Sequence, residues 1–157
     1  RKQFGVAIGD SVMLGAAGQL RDDGFIVDAA ESRQFSNGAD TIATLNEQGR
    51  LGDVVVVHLG TNGTINSGDM TRMMDALAGV PQVWLLTLEA PGVSWIDDNN
   101  AVIRDTVANY ANVSLLEWAG LTDSCPGDCF ASDGYHLRPD GQVYYAALID
   151  GALQGLG

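Results

Sequence analysis

The segment from Asp53 to Leu59 constrains the fold most, because it is apolar at nearly every position. Such a continuous run is typical of a strand that is covered by helices on both faces. The sequence predicts four further strands, at Phe4–Ile8, Phe25–Asp28, Gln82–Leu86 and Val113–Leu116. Helical patterns separate them, at Ser11–Asp22, Ala39–Gln48, Asp69–Ala78, Asp97–Tyr110 and from Pro139 onward. Strand–helix alternation over this length predicts an α/β fold, with a five-stranded parallel sheet between two layers of helices.

The size and charge of the chain limit the number of domains and the kinds of partner that we expect. Its 157 residues suit one domain, residues 1–157, with one sheet and its covering helices. No apolar run approaches the ~20 residues that a membrane span needs. The chain opens on Arg1 without an initiator Met, so we expect a piece of a longer protein. The net charge of −12 argues against nucleic acid and anionic lipid as partners.

Ser11 follows the first predicted strand and stands at the start of a helix. At such a position, helix N–H groups point toward whatever the hydroxyl attacks, which suits a nucleophile. The alternative is a helix N-cap, a common role of serine. Asp10 can take that capping role instead and leave the hydroxyl free. The residues differ from the Gly-x-Ser-x-Gly nucleophile elbow, since Met13 stands at the last position.

The chain has two histidines, and they differ in setting. His58 lies within the apolar third strand, where we expect a packed and hydrogen-bonded core residue. His136 lies in a polar loop, three residues after Asp133, which is close enough to accept a proton from the imidazole. Serine, histidine and aspartate are the parts of an acyl-transfer triad, although an Asp-x-x-His pair alone also fits a solvated loop.

Polar residues also follow the second and third predicted strands, namely Ser32 and Asn62. The carboxyl ends of parallel strands meet at one edge of a sheet, so these loops can converge on Ser11. The amide of Asn62 can donate to an oxyanion, and the N–H groups of Ser11 and Ser32 would complete that hole. The alternative for Asn62 is a turn residue, because Asn-Gly pairs favour turns.

The two cysteines, Cys125 and Cys129, are separated by Pro-Gly-Asp. A Pro-Gly turn can bring the thiols together, so the spacing favours a disulfide over free thiols. A zinc site needs about four ligands, and the chain offers no second Cys or His cluster to supply them. A disulfide here would indicate an oxidising compartment.

Several of these motifs together carry a family resemblance. Gly9–Leu14, Gly60–Asn62 and Asp133–Leu137 resemble the first, third and fifth sequence blocks of the SGNH (GDSL-like) hydrolases. With Arg33-Gln34, Trp95 and Asn100 included, the chain is similar to the C-terminal extracellular domain of acyltransferase-3/SGNH proteins. That group contains the peptidoglycan O-acetyltransferases. The similarity runs over essentially the whole chain.

The resemblance implies a flavodoxin-like three-layer fold with no metal and no organic cofactor. It implies Ser11 as nucleophile, His136 as general base and acid, Asp133 as its orienting partner and Asn62 as oxyanion donor. Two positions depart from the family pattern. Ser32 stands where the second block normally supplies a glycine N–H, and Arg138 replaces the usual capping residue before Pro139.

Trp95 and Asn100 match family positions near the fourth helix, and we expect them to contact substrate. An exposed indole often stacks on a sugar, whereas the alternative for Trp95 is a place in the core.

The resemblance indicates an O-acetyltransferase that moves an acetyl group through an acyl-serine to a cell-wall glycan hydroxyl, and we expect a muramoyl hydroxyl of peptidoglycan. The partners would be an acetyl donor and a glycan acceptor. Two alternatives stay open: a carbohydrate O-acetylesterase with the same triad, and a non-catalytic glycan-binding domain. We expect a monomeric domain outside the cell, tethered to a membrane acyltransferase domain absent from this chain.

Overall fold

A computed structural model describes residues 5–155, and its centre is one parallel sheet. The strands are β1 (Gly5–Gly9), β2 (Phe25–Ala29), β3 (Val54–His58), β4 (Gln82–Leu86) and β5 (Val113–Leu116). They lie in the order β2-β1-β3-β4-β5, and every neighbouring pair is parallel. This confirms the predicted five-stranded parallel sheet. Phe4, the predicted first residue of β1, lies outside the described residues.

Seven α-helices accompany the strands in the described part of the chain. They are α1 (Ser11–Gly15), α2 (Ala17–Asp22), α3 (Phe35–Glu47), α4 (Ser67–Ala76), α5 (Ile96–Asn109), α6 (Trp118–Leu121) and α7 (Pro139–Gln154). The helix predicted at Ser11–Asp22 is thus divided at Ala16. The helix predicted at Ala39–Gln48 is α3, which begins four residues earlier, at Phe35. Within residues 5–155, no helix combines the length and apolarity of a membrane span.

The core lies on both faces of the sheet, which explains the apolar run of β3. Val55 and Val57 pack with α3, α4 and α5 on one face, whereas Val54 and Val56 pack with α1, α2 and α7 on the other. All four valines are at most 3% exposed. Burying a valine side chain contributes on the order of 1.5–3 kcal/mol, so this strand anchors both layers. The result is the three-layer arrangement that the sequence predicts.

The strand order places a crevice where the functional loops emerge. The chain adds β2 on one side of β1 and then β3 on the other, so the loops after β1 and β3 diverge. Ligands in open α/β sheets bind at such a switch point, outside the carboxyl ends of the strands. Gly9 is paired in register with Ala29 of β2 and His58 of β3, so the three strands end at the same level.

A disulfide joins Cys125 to Cys129 in the segment before α7, as the spacing predicts. Directly after it, Phe130 pairs with Leu137 in an isolated antiparallel bridge. The N–H of Arg138 donates to the carbonyl of Cys129 at 2.8 Å. The bridge and this hydrogen bond join the two ends of the intervening loop, residues 131–136, and the disulfide constrains the segment directly before it.

Candidate active site

The local structure around Ser11 leaves its hydroxyl free of capping duty. Asp10 is the N-cap of α1, and its Oδ1 accepts a hydrogen bond from the N–H of Val12 at 3.1 Å. Asp10 itself is fully buried. The hydroxyl oxygen of Ser11 instead lies 2.9 Å from Nε2 of His136, which is 125 residues away in sequence. The predicted division of roles between Asp10 and Ser11 is confirmed.

The loop from Asp133 to His136 presents the imidazole to Ser11. Oδ1 of Asp133 accepts the N–H groups of Tyr135 and His136, each at 3.0 Å, and so closes a tight turn. Gly134 has a φ of 82°, in the region that glycine adopts without steric cost. The N–H of Ala131 donates to the carbonyl of His136 at 2.9 Å. The short sequence spacing therefore suffices to lock both side chains in place.

The second carboxylate oxygen of Asp133 completes a chain of three side chains. Oδ2 lies 2.5 Å from Nδ1 of His136. A carboxylate accepts only, so the proton of the neutral imidazole lies on Nδ1 and Nε2 can accept the proton of Ser11. Partial desolvation opposes ionisation of Asp133, but the hydrogen bonds from the His136 ring and from two backbone N–H groups lower its pKa to about 2. Asp133 is thus a carboxylate at neutral pH.

Asn62 lies beside Ser11 with one amide hydrogen committed and one available. Nδ2 donates to the backbone carbonyl of Arg33 at 3.2 Å, and an amide nitrogen carries two hydrogens. Asn99 fixes the loop around Asn62, because its Nδ2 donates to the carbonyls of Gly60 and Gly63 at 2.8 and 2.9 Å. The side chain of Asn99 is 1% exposed. The loop that presents Asn62 is therefore fixed at both ends.

The side chain of Arg33 joins the ends of β1 and β2. Its guanidinium donates to the carbonyl of Gly9 at 3.3 Å and to the carbonyl and carboxylate of Asp28, both at 2.8 Å. Nε donates to Asn37 of α3 at 3.0 Å. The side chain is only 10% exposed. Arg33 thus fixes the loop that carries Ser32, and its own carbonyl orients Asn62.

Ser32 adopts an unusual backbone conformation. Its φ of 57° is the only positive value among the non-glycine residues that the structure describes. That left-handed region is open to glycine and costs other residues free energy. Glycine, which the resembling family has at this position, adopts this conformation without that cost, whereas Ser32 adopts it here with a side chain. Ser32 lies at the cleft together with Ser11 and Asn62.

Trp95 and Asn100, the predicted substrate contacts, are not among the residues that line the cleft over Ser11. Asn100 is 5% exposed, and its amide group accepts from the N–H of Leu88 and donates to the carbonyl of the same residue. Nε1 of Trp95 donates to the carbonyl of Thr61 at 2.9 Å, and the ring packs against the core. Both side chains bind backbone carbonyls, Trp95 that of Thr61 directly before Asn62 and Asn100 that of Leu88.

An open cleft of about 510 Å³ lies over the Ser11–His136 pair. Its lining residues are Ser11, Leu14, Gly15, Glu31, Ser32, Asn62, Tyr135 and His136. The ring of Tyr135 lies 4.4 Å from that of His136, centroid to centroid. Sequence reasoning missed Leu14, Gly15, Glu31 and Tyr135. Glu31 and Tyr135 directly precede the predicted Ser32 and His136, and Leu14 and Gly15 lie one helical turn after Ser11. No group of three or more metal-ligating side chains occurs within the described part of the chain.

A buried polar cluster lies behind Ser11. His58 is 1% exposed, and its Nδ1 lies 2.8 Å from the hydroxyl of Tyr145 in α7. The N–H of Asp10 donates to the carbonyl of His58 at 3.3 Å. Burial lowers the pKa of His58, although the charge of Asp10 and the backbone of Thr87 oppose this shift. The prediction of a packed, hydrogen-bonded core histidine is confirmed.

The buried histidine should make folding sensitive to mild acid. In the unfolded chain His58 titrates near 6.5, whereas its folded pKa is lower. Below that pH the unfolded state binds a proton at His58 that the folded state does not bind, so the free energy of unfolding falls as the pH falls. We expect the free energy of unfolding to decrease by about 1 kcal/mol between about pH 7 and about pH 5.5. Urea unfolding measures it, and His58→Asn should remove most of this pH dependence. An equal loss in the variant would contradict the assignment to His58.

The sequence comparison finds a distant relative with a known name. No protein-family model matches the chain. O-acetyltransferase OatA of Staphylococcus aureus is 26% identical over 152 residues. The matched region covers 95% of this chain and 25% of that protein. The chain therefore spans about a quarter of the length of the curated relatives that it matches.

Solved structures share the fold. The C-terminal catalytic domain of peptidoglycan O-acetyltransferase A (OatA) from Streptococcus pneumoniae, solved with a methylsulfonyl adduct, gives a TM-score of 0.84 at 21% identity. The match covers 98% of this chain and 93% of that one. A carbohydrate esterase of family 3 from Talaromyces cellulolyticus gives a TM-score of 0.69 at 20% identity, covering 98% and 97%. The chain thus has the SGNH (GDSL-like) hydrolase fold and resembles OatA.

Proposed function

We propose that this chain is a serine-dependent O-acetyltransferase domain that acetylates a cell-wall glycan. The observation that carries the proposal is the hydrogen-bonded chain from Ser11 through His136 to Asp133, at the carboxyl edge of the sheet. The likeness to OatA supports acetyl transfer, and the printed name of the pneumococcal protein suggests peptidoglycan as acceptor. A muramoyl hydroxyl is the acceptor that we propose.

In the first half-reaction Ser11 attacks the carbonyl carbon of the acetyl donor. His136 takes the hydroxyl proton on Nε2 as the C–O bond forms, and Asp133 stabilises the resulting imidazolium. The oxyanion is held by the N–H groups of Ser11 and Ser32 and by the free amide hydrogen of Asn62. The tetrahedral species then collapses, and the departing oxygen of the donor takes the proton from His136. Ser11 is left as an acetyl ester.

The second half-reaction repeats these steps with the glycan as nucleophile. His136 removes the proton of the acceptor hydroxyl, and that oxygen attacks the acetyl-serine. The same three donors hold the second oxyanion. Ser11 leaves and recovers its proton from His136, so the free enzyme and an O-acetylated sugar result.

Removing the amide of Asn62 should slow both steps. We expect Asn62→Ala to lower kcat for ester turnover by about 10²–10³, because one oxyanion donor is lost. KM should change little, since the donor acts on charge that develops in the transition state. Steady-state kinetics with 4-nitrophenyl acetate measures the effect. Asn46→Ala, an exposed substitution on α3, is the matched control and should leave kcat unchanged.

A carbohydrate O-acetylesterase is the second candidate, and one observation favours it. The side chain of His136 is 40% exposed at the open cleft, so water has access to the acyl-serine. The chemistry is the same, with water in place of the sugar hydroxyl. The likeness to a carbohydrate esterase fold is consistent with this alternative.

The two candidates are separated by following the acetyl group. The protein is incubated with 4-nitrophenyl acetate and a chito-oligosaccharide, and the sugar is analysed by mass spectrometry for Ser11-dependent acetylation. Acetyl on the sugar supports the transferase. Acetate release that leaves the sugar unmodified, with Ser11 still required, supports the esterase. Sugar binding without any Ser11-dependent turnover would support a non-catalytic glycan-binding domain.

We also propose that the domain works outside the membrane as part of a longer protein. The Cys125–Cys129 disulfide supports an oxidising compartment, since such bonds are rare in the cytosol. The length of the matched OatA relatives, four times the region of similarity, supports a larger parent with a membrane acyltransferase domain.

A further inference from the structure

The residues that line the cleft over Ser11 include one exposed carboxylate. Among residues 5–155, Glu31 is the single acidic residue that lines the cleft, and no lysine or arginine of that range does so. Glu31 follows β2 and directly precedes Ser32, a proposed oxyanion donor that lines the same cleft. It is exposed, and it forms no ion pair with any residue in the range 5–155.

The arginines nearest in sequence to the cleft residues are occupied elsewhere. Arg33 is turned inward, where it is 10% exposed and paired with Asp28 at 2.8 Å. Arg138 donates to the carbonyl of Phe130 and faces Asp128 at 3.5 Å. The guanidinium of Arg33 already donates to the carbonyls of Gly9 and Asp28 at the ends of two strands. These hydrogen bonds keep the side chain from turning toward Glu31. No cation among the described residues therefore pairs with Glu31.

We propose that Glu31 forms a subsite for a positively charged group of the acceptor glycan, such as the ammonium of a de-N-acetylated sugar near the muramoyl hydroxyl that is acetylated. This inference rests on the proposed acyl transfer and names its substrate class. A cationic or neutral sugar meets favourable or neutral electrostatics at the cleft, whereas an anionic sugar meets the Glu31 carboxylate and no countercharge. The net charge of −12 extends the same preference over the whole molecule.

The size of the effect follows from the exposure of Glu31. A single solvated charge pair changes a rate or affinity by about fivefold, and salt at about 1 M screens it strongly. The preference should therefore appear as a modest selectivity that falls with ionic strength. A buried pair would give a larger effect with less dependence on salt.

The test compares two acceptors of equal length. One is a chitotriose whose amines are quaternary trimethylammonium groups, which carry fixed charge and cannot be acylated. The other is neutral tri-N-acetylchitotriose. We expect kcat/KM for acetyl transfer to favour the cationic trimer by about fivefold in wild type. Glu31→Gln should bring that ratio close to one. Glu47→Gln, an exposed glutamate at the far end of α3, should leave the ratio as in wild type.

Titration of Ser11→Ala protein with both trimers gives the same comparison without turnover. The ratio of the two Kd values should show the same preference and the same loss in the Ser11→Ala, Glu31→Gln double variant. An unchanged ratio in the Glu31→Gln proteins overturns the inference while Ser11-dependent ester turnover leaves the proposed function standing. Absence of Ser11-dependent turnover overturns the proposed function and, with it, this reading of Glu31.

Discussion

Ser11→Ala should lower kcat for hydrolysis of 4-nitrophenyl acetate by about 10⁶, the loss typical for removing a nucleophile that acts together with its base. The variant keeps the cap of α1, because Asp10 and not Ser11 accepts the N–H of Val12. The free energy of unfolding should therefore stay within about 1 kcal/mol of wild type. Steady-state kinetics measures kcat, and urea unfolding of the same preparations measures the free energy of unfolding.

A matched serine variant makes this result specific. Ser67 is exposed at the start of α4, where Asn66 supplies the cap, so Ser67→Ala should leave kcat unchanged. If Ser11→Ala retained more than a small fraction of wild-type turnover, the nucleophile assignment would be wrong. The same conclusion would hold if Ser67→Ala lost activity to an equal extent.

Asp133→Asn should lower kcat by about 10⁴, because an amide cannot hold the imidazole in the required tautomer. In wild type, Oδ2 accepts from Nδ1 of His136 and leaves Nε2 free to accept from Ser11. An amide nitrogen at the Oδ2 position donates to Nδ1 and so moves the ring proton to Nε2. The amide oxygen can still accept the two backbone N–H groups of the turn, so the loop should keep its shape.

The control for this variant lies in the same segment. Asp128 is exposed and faces Arg138 at 3.5 Å, without contact to His136, so Asp128→Asn should keep wild-type kcat. Activity of Asp133→Asn close to that of Asp128→Asn would show that the carboxylate does not set the state of His136. A pH–rate profile of both variants distinguishes a tautomer effect from partial unfolding.

The strands were predictable because their apolar runs are short, continuous and bounded by polar residues. The helix boundaries were less so. The first turn of α3 contains Ser36, Asn37 and Gly38, which have weak helix propensity, yet the burial of Phe35 holds that turn in place. Packing against the sheet outweighs local propensity there. The four-residue helix α6 shows no helical period at all, because it is too short to have one.

The triad geometry was predictable from two general rules. Parallel strands end at one edge, and an Asp three residues before a His can close a turn onto it. The supporting residues could not be found in this way. Arg33, Asn99 and Asn100 each bind backbone carbonyls of distant loops, and such contacts depend on the folded path of the chain. For Asn100 this is why a family position suggested a surface role while the side chain is buried.

The acyl-serine mechanism is tested by the intact mass of the protein after brief exposure to 4-nitrophenyl acetate, followed by peptide mapping. We expect one added acetyl group, located on Ser11, present in wild type and absent from Ser11→Ala. The adduct should disappear on adding an acceptor glycan, with the acetyl group recovered on the sugar. An acetyl group on another residue, or an equal adduct in Ser11→Ala, would contradict the proposed acyl-serine mechanism.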